Sequence, residues 1–350
     1  MSSSLPSNPP FPSNVPTAPQ VFIDYKLLVA RDPNEIARLL SVSQGLGFFY
    51  LFNSDIDPEF MFSLGDQIFS LPLHELMKYD HRPTGTYFGY KAAGSQFTDS
   101  KGKPDYTQYY NISKNDLFEL TPHRLAHPAP VNTPSTREYL KRFIKDSHNA
   151  AVVIMECLAT ALGLPADAFS SRHDFCTLSG DIARTISSSN PPPEDDNAVL
   201  IGEHTDFGSV TILHNRLGGL QVLLPGEAKE FVFLKPHPGC AIVNLGDALV
   251  LMSGGRLVAG LHRVVRPPGE QGKVMPRASV VYFTRPNNHV KLVSLFEHDL
   301  SKASNALTAD EWIMRRVSLL TTSNFSSKDE YAKAYTQSRG TEHNSSKYKL

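Results

Sequence analysis

The first half of the chain is patterned for helices and the second half for short strands. From Pro33 to Leu46, Ile36, Leu39, Leu40 and Val42 recur at near-helical spacing, and Gly45 and Gly47 stop the run ahead of an apolar strand over Phe48–Phe52. Ser54–Phe69 has a helical pattern too. So does Thr133–Leu162, where Tyr139, Phe143, Val152, Met155, Leu158 and Leu162 form a broad apolar face that stops at Gly163, with Pro165 beyond. From about Ser179 the texture changes to short Val-, Ile- and Leu-rich runs between Gly and Pro clusters: Ser209–Leu213, Gly219–Leu224, Phe231–Leu234, Cys240–Leu245 and Ala248–Met252. Many short strands between turn signals predict an antiparallel sandwich or barrel, mainly β with helical support, in one domain without internal repeats. Residues 1–20 are dominated by Ser, Pro and Asn, which bury too little surface to offset the entropy of ordering, so a flexible arm draped over the body is expected there.

Three residues of the strand-rich half carry the candidate chemistry. The apolar run Ala198-Val-Leu-Ile-Gly-Glu-His-Thr-Asp206 reads as a strand, and side chains two apart on a strand share a face, so His204 and Asp206 can bind one ion. His262 lies in a second strand-like run, Gly260-Leu-His-Arg-Val-Val265, which only a folded sheet brings to the first two. Two imidazoles and a carboxylate on one side of a metal leave the opposite positions open, as in non-heme Fe(II) oxygenases. In a chain with 13 histidines a His-x-Asp triplet also arises by chance, so the pair alone is weak. Arg277-Ala-Ser279 strengthens it, because a guanidinium fork and a hydroxyl on one strand face can hold a carboxylate beside the metal.

The motifs His204-Thr-Asp206-Phe-Gly208, Asn244-Leu-Gly-Asp247, His262-Arg-Val264, Arg277-Ala-Ser279 and Tyr282-Phe283 resemble those of the 2-oxoglutarate- and Fe(II)-dependent dioxygenase superfamily. The branch is the one containing isopenicillin N synthase, 1-aminocyclopropane-1-carboxylate oxidase and many plant and fungal tailoring oxygenases. Ile23-Asp24, Gly47-Phe-Phe-Tyr50, Phe69-Ser-Leu-Pro72, Gly89-Tyr90 and Asp105-Tyr106 follow in the order of that branch, so the resemblance spans about residues 20–300. It implies a double-stranded β-helix (jelly roll) core at 179–300, an α-rich N-terminal region at 21–178 behind the arm at 1–20, and a C-terminal helix and mobile tail at 301–350. It further implies His204, Asp206 and His262 as catalytic iron ligands, Arg277 and Ser279 on the distal carboxylate of 2-oxoglutarate, and O2 at the remaining position. In the family's reaction, 2-oxoglutarate is oxidatively decarboxylated to succinate and CO2 while hydrogen is abstracted from a small-molecule C–H bond. The protein places that bond. Tyr90, Phe207, Phe283 and Trp312 are the substrate-side candidates that the resemblance suggests.

One departure from the pattern stands out. Relatives that use 2-oxoglutarate often have an Asn-x-Tyr-type segment before the first His, whose tyrosine helps hold the co-substrate, whereas this chain has Ser187 to Asn190 there. Water filling the gap, another side chain, or a different bound carboxylate would each account for it. An oxidase of the same fold that uses no oxo acid is thus the alternative to a 2-oxoglutarate oxygenase, with a metal-free jelly-roll binding protein behind both. Asn244 to Asp247 are expected to make a turn entering a strand, with Asp247 a hydrogen-bonding turn residue rather than a catalytic acid. Gly208 is expected to let the chain turn close to the metal strand. Tyr87, Phe88, Tyr90, Tyr106, Tyr109 and Tyr110 suit a pocket wall and a packed core equally.

Composition narrows the rest. A net charge of -1 over 350 residues gives no support to a nucleic-acid partner. Cys157, Cys176 and Cys240 are too few for a disulfide framework or a cysteine zinc site and are expected to be buried thiols in a reducing compartment. No apolar run reaches the roughly 20 residues needed to span a bilayer, and no secretory signal opens the chain, so a cytoplasmic monomer without membrane contact is expected. His214 and His237 complete no second metal site, the three Asn-x-Ser triplets carry no meaning in that compartment, and Pro193-Glu-Asp-Asp196 reads as a solvated loop.

Overall fold

The computed structural model describes residues 8–189, 198–226, 230–297, 305–319 and 330. Its strands are β1 (Phe22–Asp24), β2 (Phe48–Phe52), β3 (Gly89–Lys91), β4 (Thr107–Ser113), β5 (Ile182–Ser188), β6 (Val199–His204), β7 (Val210–Asn215), β8 (Leu220–Leu223), β9 (Phe231–Phe233), β10 (Ala241–Leu245), β11 (His262–Val265) and β12 (Arg277–Thr284). They form a large sheet in the order β1-β2-β10-β7-β12-β5-β4-β3 and a small sheet in the order β6-β11-β8-β9. The expected jelly-roll core is present. The helices are α1 (Tyr25–Val29), α2 (Pro33–Gly45), α3 (Glu59–Phe69), α4 (Leu73–Leu76), α5 (Lys114–Leu117), α6 (Pro134–Ala161), α7 (Asp247–Met252) and α8 (Ala309–Ser318).

Helix α6 is the main support of the large sheet. Thr133 caps it by accepting from the Thr136 amide, and Pro134 suits its first turn, where a missing N–H costs nothing. Leu140, Phe143, Ile144, Ala151, Ile154, Met155 and Leu158 are buried at three- and four-residue intervals and share a core with Ile112, Ala183, Ile212, Val280 and Tyr282 of the large sheet. Each aliphatic side chain buried there contributes about 1.5–3 kcal/mol relative to exposure. Along β12 the alternation then matters for function. Val280 and Tyr282 face that core, whereas Arg277, Ser279, Val281 and Phe283 face the cavity between the sheets.

Some expectations need correction. The helix sought from Ser54 begins at Glu59, directly after Pro58. Ala248–Met252 is helical rather than extended, and the turn of Asn244 to Asp247 therefore enters a helix. Backbone bonds from Asp247 N to Asp206 O and from Ala248 N to Gly208 O fix this turn, and a five-residue apolar run suits a short buried helix as well as a strand. Cys157 is buried, but Cys176 is exposed and Cys240 only partly covered. From residue 8 onward the N-terminal arm lies against the small sheet: Ala18 N donates to Phe233 O at 2.9 Å and Phe11 packs edge-on against Phe233. The acidic run 193–196, two of the Asn-x-Ser triplets and the tail after Thr321 apart from residue 330 lie outside the described residues. Among the described residues no helix is long and apolar enough to cross a membrane.

Candidate metal centre

His204 ends β6 and His262 begins β11, and the two are directly opposed across the strand pair. Asp206 follows two residues after His204, and one ligand atom from each of the three lies within 4.8 Å of the others. The donor set is prepared for a cation. Nδ1 of His204 lies 2.8 Å from Gly202 O, and Nδ1 of His262 lies 3.0 Å from Gly260 O. A carbonyl oxygen only accepts, so Nδ1 is the donor in each ring and Nε2 is the nitrogen available to ligate at the shared point. Burial, with His262 adding to it, lowers the His204 imidazole and so favours the neutral form that can ligate.

Asp206 is aimed in the same way. Its Oδ2 accepts from Thr211 Oγ1 and from Asn244 Nδ2, each at 2.6 Å, leaving Oδ1 on the side of His204 Nε2, 3.9 Å away. Burial by itself would raise this carboxyl. The two histidines and the two hydrogen bonds outweigh it and hold the carboxyl below its usual range. The loop behind it is tight: a Cβ on Gly208 would lie 2.5 Å from Thr284 O, so glycine is required by space, as the chain's close turn suggested. Asp247 serves as a hydrogen-bonding residue, accepting from Thr205 Oγ1 at 2.9 Å and from Arg316 Nη1 at 2.6 Å. Two imidazole nitrogens and one carboxylate oxygen, converging from one side, fit a non-heme Fe(II) ion.

The triad opens on a cavity of about 190 Å³ whose other wall is the inner face of the large sheet, with Arg277 and Ser279 among its lining residues. Arg277 is 2% exposed, donates from Nε to Gly218 O at 2.6 Å and from Nη1 to Ser279 Oγ at 2.7 Å, and pairs with no carboxylate among the described residues. Burial pulls its guanidinium down to about 10, so it is still a cation at neutral pH, and its charge has no carboxylate partner among the described residues. A ligand carboxylate would supply one. The stretch without the tyrosine runs beside Arg277. Ser188 is the residue of β5 opposite Arg277, and Thr107 of β4 is opposite Ser188, their hydroxyls 3.1 Å apart. Two small hydroxyl side chains therefore follow Arg277 across the sheet, and Ser188 belongs to the stretch from Ser187 that lacks a tyrosine.

Comparison with known proteins agrees with this geometry. A family model described as the 2OG-Fe(II) oxygenase superfamily matches residues 176–286, and one described as non-haem dioxygenase in morphine synthesis N-terminal matches residues 22–132. The 2-oxoglutarate-dependent dioxygenase frbH of Dothideomycetidae sp. (strain 11243) is 31% identical over 277 residues, covering 77% of this chain and 83% of that protein. The chain belongs to the 2OG-Fe(II) oxygenase superfamily. A full-length Neurospora crassa protein in complex with alpha-KG matches this oxygenase with a TM-score of 0.68 at 25% identity, over 85% of this chain and 95% of that one. JOX2 in complex with 2OG, Fe, and JA shares the fold with a TM-score of 0.65 at 24% identity, over 95% and 94% of the two chains. The enzyme is an Fe(II)- and 2-oxoglutarate-dependent dioxygenase.

The cavity sorts the substrate-side candidates of this dioxygenase. Phe207 and Phe283 line it. Tyr90 does not: it is 2% exposed, sits in the core outside the large sheet and donates to Gln108 Oε1 at 2.7 Å. Its strand neighbour Lys91 is opposite Tyr109, which does line the cavity, so a shift of one residue decides the face. Trp312 stands behind the wall, its Nε1 donating to Phe207 O at 3.3 Å. Of the aromatic cluster, Tyr87 and Tyr109 reach the cavity. His214 is buried against Phe143, and His237 meets Gln20 Oε1 at 2.9 Å, so neither joins the triad. Sequence reasoning missed Arg184 and Arg285 as lining residues and Thr211 as a support of Asp206. An arginine within the alternating apolar strand Ile182–Ser188 was the available signal for the first.

Proposed function

We propose that this dioxygenase oxidises a C–H bond of a small organic molecule in specialised-metabolite biosynthesis, by hydroxylation, desaturation or oxidative ring rearrangement. In this reading His204, Asp206 and His262 hold the iron, and Arg277 with Ser279 holds the distal carboxylate of 2-oxoglutarate. The observation that carries it is a single cavity lined by the prepared His-Asp-His set, a buried guanidinium without a carboxylate, and the aromatic rings of Tyr87, Tyr109, Phe207 and Phe283. Bound iron, with 2-oxoglutarate and O2, supplies the oxidising chemistry. The chain's own groups orient it: Thr211 and Asn244 fix the carboxylate, the Gly202 and Gly260 carbonyls fix the rings, and the aromatic wall keeps water from the reacting bond.

The test is an anaerobic titration of the Fe(II)-loaded protein with 2-oxoglutarate, following the visible charge-transfer band that keto acid chelation produces. The wild type should show the band, and Arg277→Gln should need on the order of 30-fold more 2-oxoglutarate, as expected for loss of one partner of a buried charge pair. Iron bound without any band would move the reading to an oxidase of the same fold that takes no oxo acid.

A further inference from the structure

We infer that the substrate itself carries a carboxylate, and that Arg184 and Arg285 bind it at the end of the cavity away from Arg277. This rests on the reading above, in which Arg277 is occupied by 2-oxoglutarate. Arg184 projects from β5 into the cavity, its guanidinium stacked 3.9 Å from the centroid of Tyr109 and 4.8 Å from that of Phe283. Stacking satisfies its faces only. Of the five N–H donors of a guanidinium, the Nε–H alone has an acceptor among the described residues, Asn111 Oδ1 at 2.6 Å. Arg285 lies over the same Phe283 ring at 5.8 Å, is 5% exposed, and donates from Nη1 to Gly180 O at 2.7 Å, while its Nε is buried without an acceptor.

The acids nearby are already engaged. Asp105 is ion-paired with Lys91, Glu203 lies 3.7 Å from Arg263, and Asp206 belongs to the triad. Asp181 accepts the Arg285 backbone amide, but its Oδ2 accepts from Tyr282 and lies 3.1 Å from His148. Arg82, the remaining cavity arginine, has Asp80 at 2.6 Å. Among the described residues the two cations thus face the cavity with no anion of their own, and burial lowers the Arg184 guanidinium below its usual range, which marks the cost of keeping it charged there. Both guanidinium groups lie over the Phe283 ring and the Arg285 charge adds to the lowering of Arg184, so an anion between them would relieve that repulsion.

Sheet register separates this pair from the co-substrate arginine. Ser188 of β5 is opposite Arg277, whereas Arg184 is opposite Val281, four residues further along, or ~13 Å at about 3.3 Å per residue. The triad faces this stretch from the small sheet. A monocarboxylic acid with an apolar body would therefore anchor its carboxylate on Arg184 and Arg285, lie along Phe283 and Tyr109, and present a C–H bond at the metal. An amine or a neutral polyol would leave both cations uncompensated.

The experiment uses the full chain loaded anaerobically with Fe(II) and 2-oxoglutarate, and measures binding of phenylacetate, 3-phenylpropionate and 4-phenylbutyrate against their primary amides by calorimetry and thermal shift. At least one acid should bind on the order of 30-fold tighter than its amide, with the preference lost in Arg184→Gln, reduced in Arg285→Gln and partly retained in Arg184→Lys. Arg277→Gln should keep the preference while losing 2-oxoglutarate. Equal binding of acids and amides, binding of neither, or a preference that survives both glutamine variants would overturn the inference. A preference lost in Arg277→Gln instead would also overturn it, because the probes would then be occupying the co-substrate position. If 2-oxoglutarate fails to bind while the Arg184-dependent preference persists, the functional reading fails and the acid site stands.

Discussion

Replacing Asn244 with alanine removes one of the two hydrogen bonds that aim Asp206 at the metal position. The bond is 2.6 Å long, buried and made to a carboxylate, so its loss costs about 1.5–3 kcal/mol. Part of that appears as lower stability of the metal-free fold, because the carboxylate keeps its burial and loses a donor. The rest appears in metal affinity, since Asp206 is freed to rotate while Thr211 Oγ1 still holds the same oxygen at 2.6 Å. A roughly 10- to 100-fold weaker metal Kd is the expected size for a support of this kind. Mn(II) titration followed by paramagnetic relaxation measures it without turnover, and denaturant unfolding of the metal-free protein measures the first part. Thr211→Val should act similarly, and the double variant should lose more than the sum, because the second donor becomes critical once the first is gone. Unchanged metal affinity in both single variants, with folding intact, would refute the claim that these two side chains position the ligand.

Three further outcomes follow from other residues. Arg316→Leu leaves Asp247 buried without the cation now 2.6 Å away, and should cost about 3–5 kcal/mol in denaturant unfolding; Arg316→Leu with Asp247→Asn should recover much of that, and a full additive loss would show the pair is not coupled. Burial pushes His214 from its usual 6.5 down to about 4, so its neutral form stabilises the fold fully above pH 6.5 and that stabilisation is lost as pH falls through 4, about 3 kcal/mol in all. His214→Leu should flatten the acid limb of the stability profile over that window, and an unchanged slope would assign the limb to other groups. Gly208→Ala drives a Cβ to 2.5 Å from the Thr284 carbonyl and should cost about 1–3 kcal/mol together with measurable metal affinity, whereas wild-type unfolding and metal binding would show that the loop yields freely.

How much of this was legible in the chain depended on whether local pattern or long-range pairing carried the information. The triad and Arg277-Ala-Ser279 were readable because a two-residue period fixes which side chains share a strand face. The helix over 134–161 was readable from its apolar stripe and its Thr-Pro start. The helix over 247–252 was not, since one turn of apolar residues has no period, and backbone bonds to Asp206 and Gly208 decided its shape. Tyr90 was misplaced because nothing local says which of Tyr90 and Lys91 points inward; pairing with β4 does. The support of Asp206 by Asn244 and Thr211 joins residues 38 and 5 positions away and needed the assembled sheet to be seen.

The opposition of His204 and His262 has a consequence for how the fold is kept in register. β6 is the outer strand of the small sheet and among the described residues pairs only with β11, with pairing irregularities along its length, so its own ladder specifies alignment weakly. A slip of one residue would turn His204 to the opposite face and dissolve the donor set. An ion held by both imidazoles would thus act as a staple that accepts one alignment alone. In the metal-free protein the β6 amides should exchange with solvent faster than those of β11, and loading the metal should slow them first, which makes the ion a proofreader of the fold as well as a reagent.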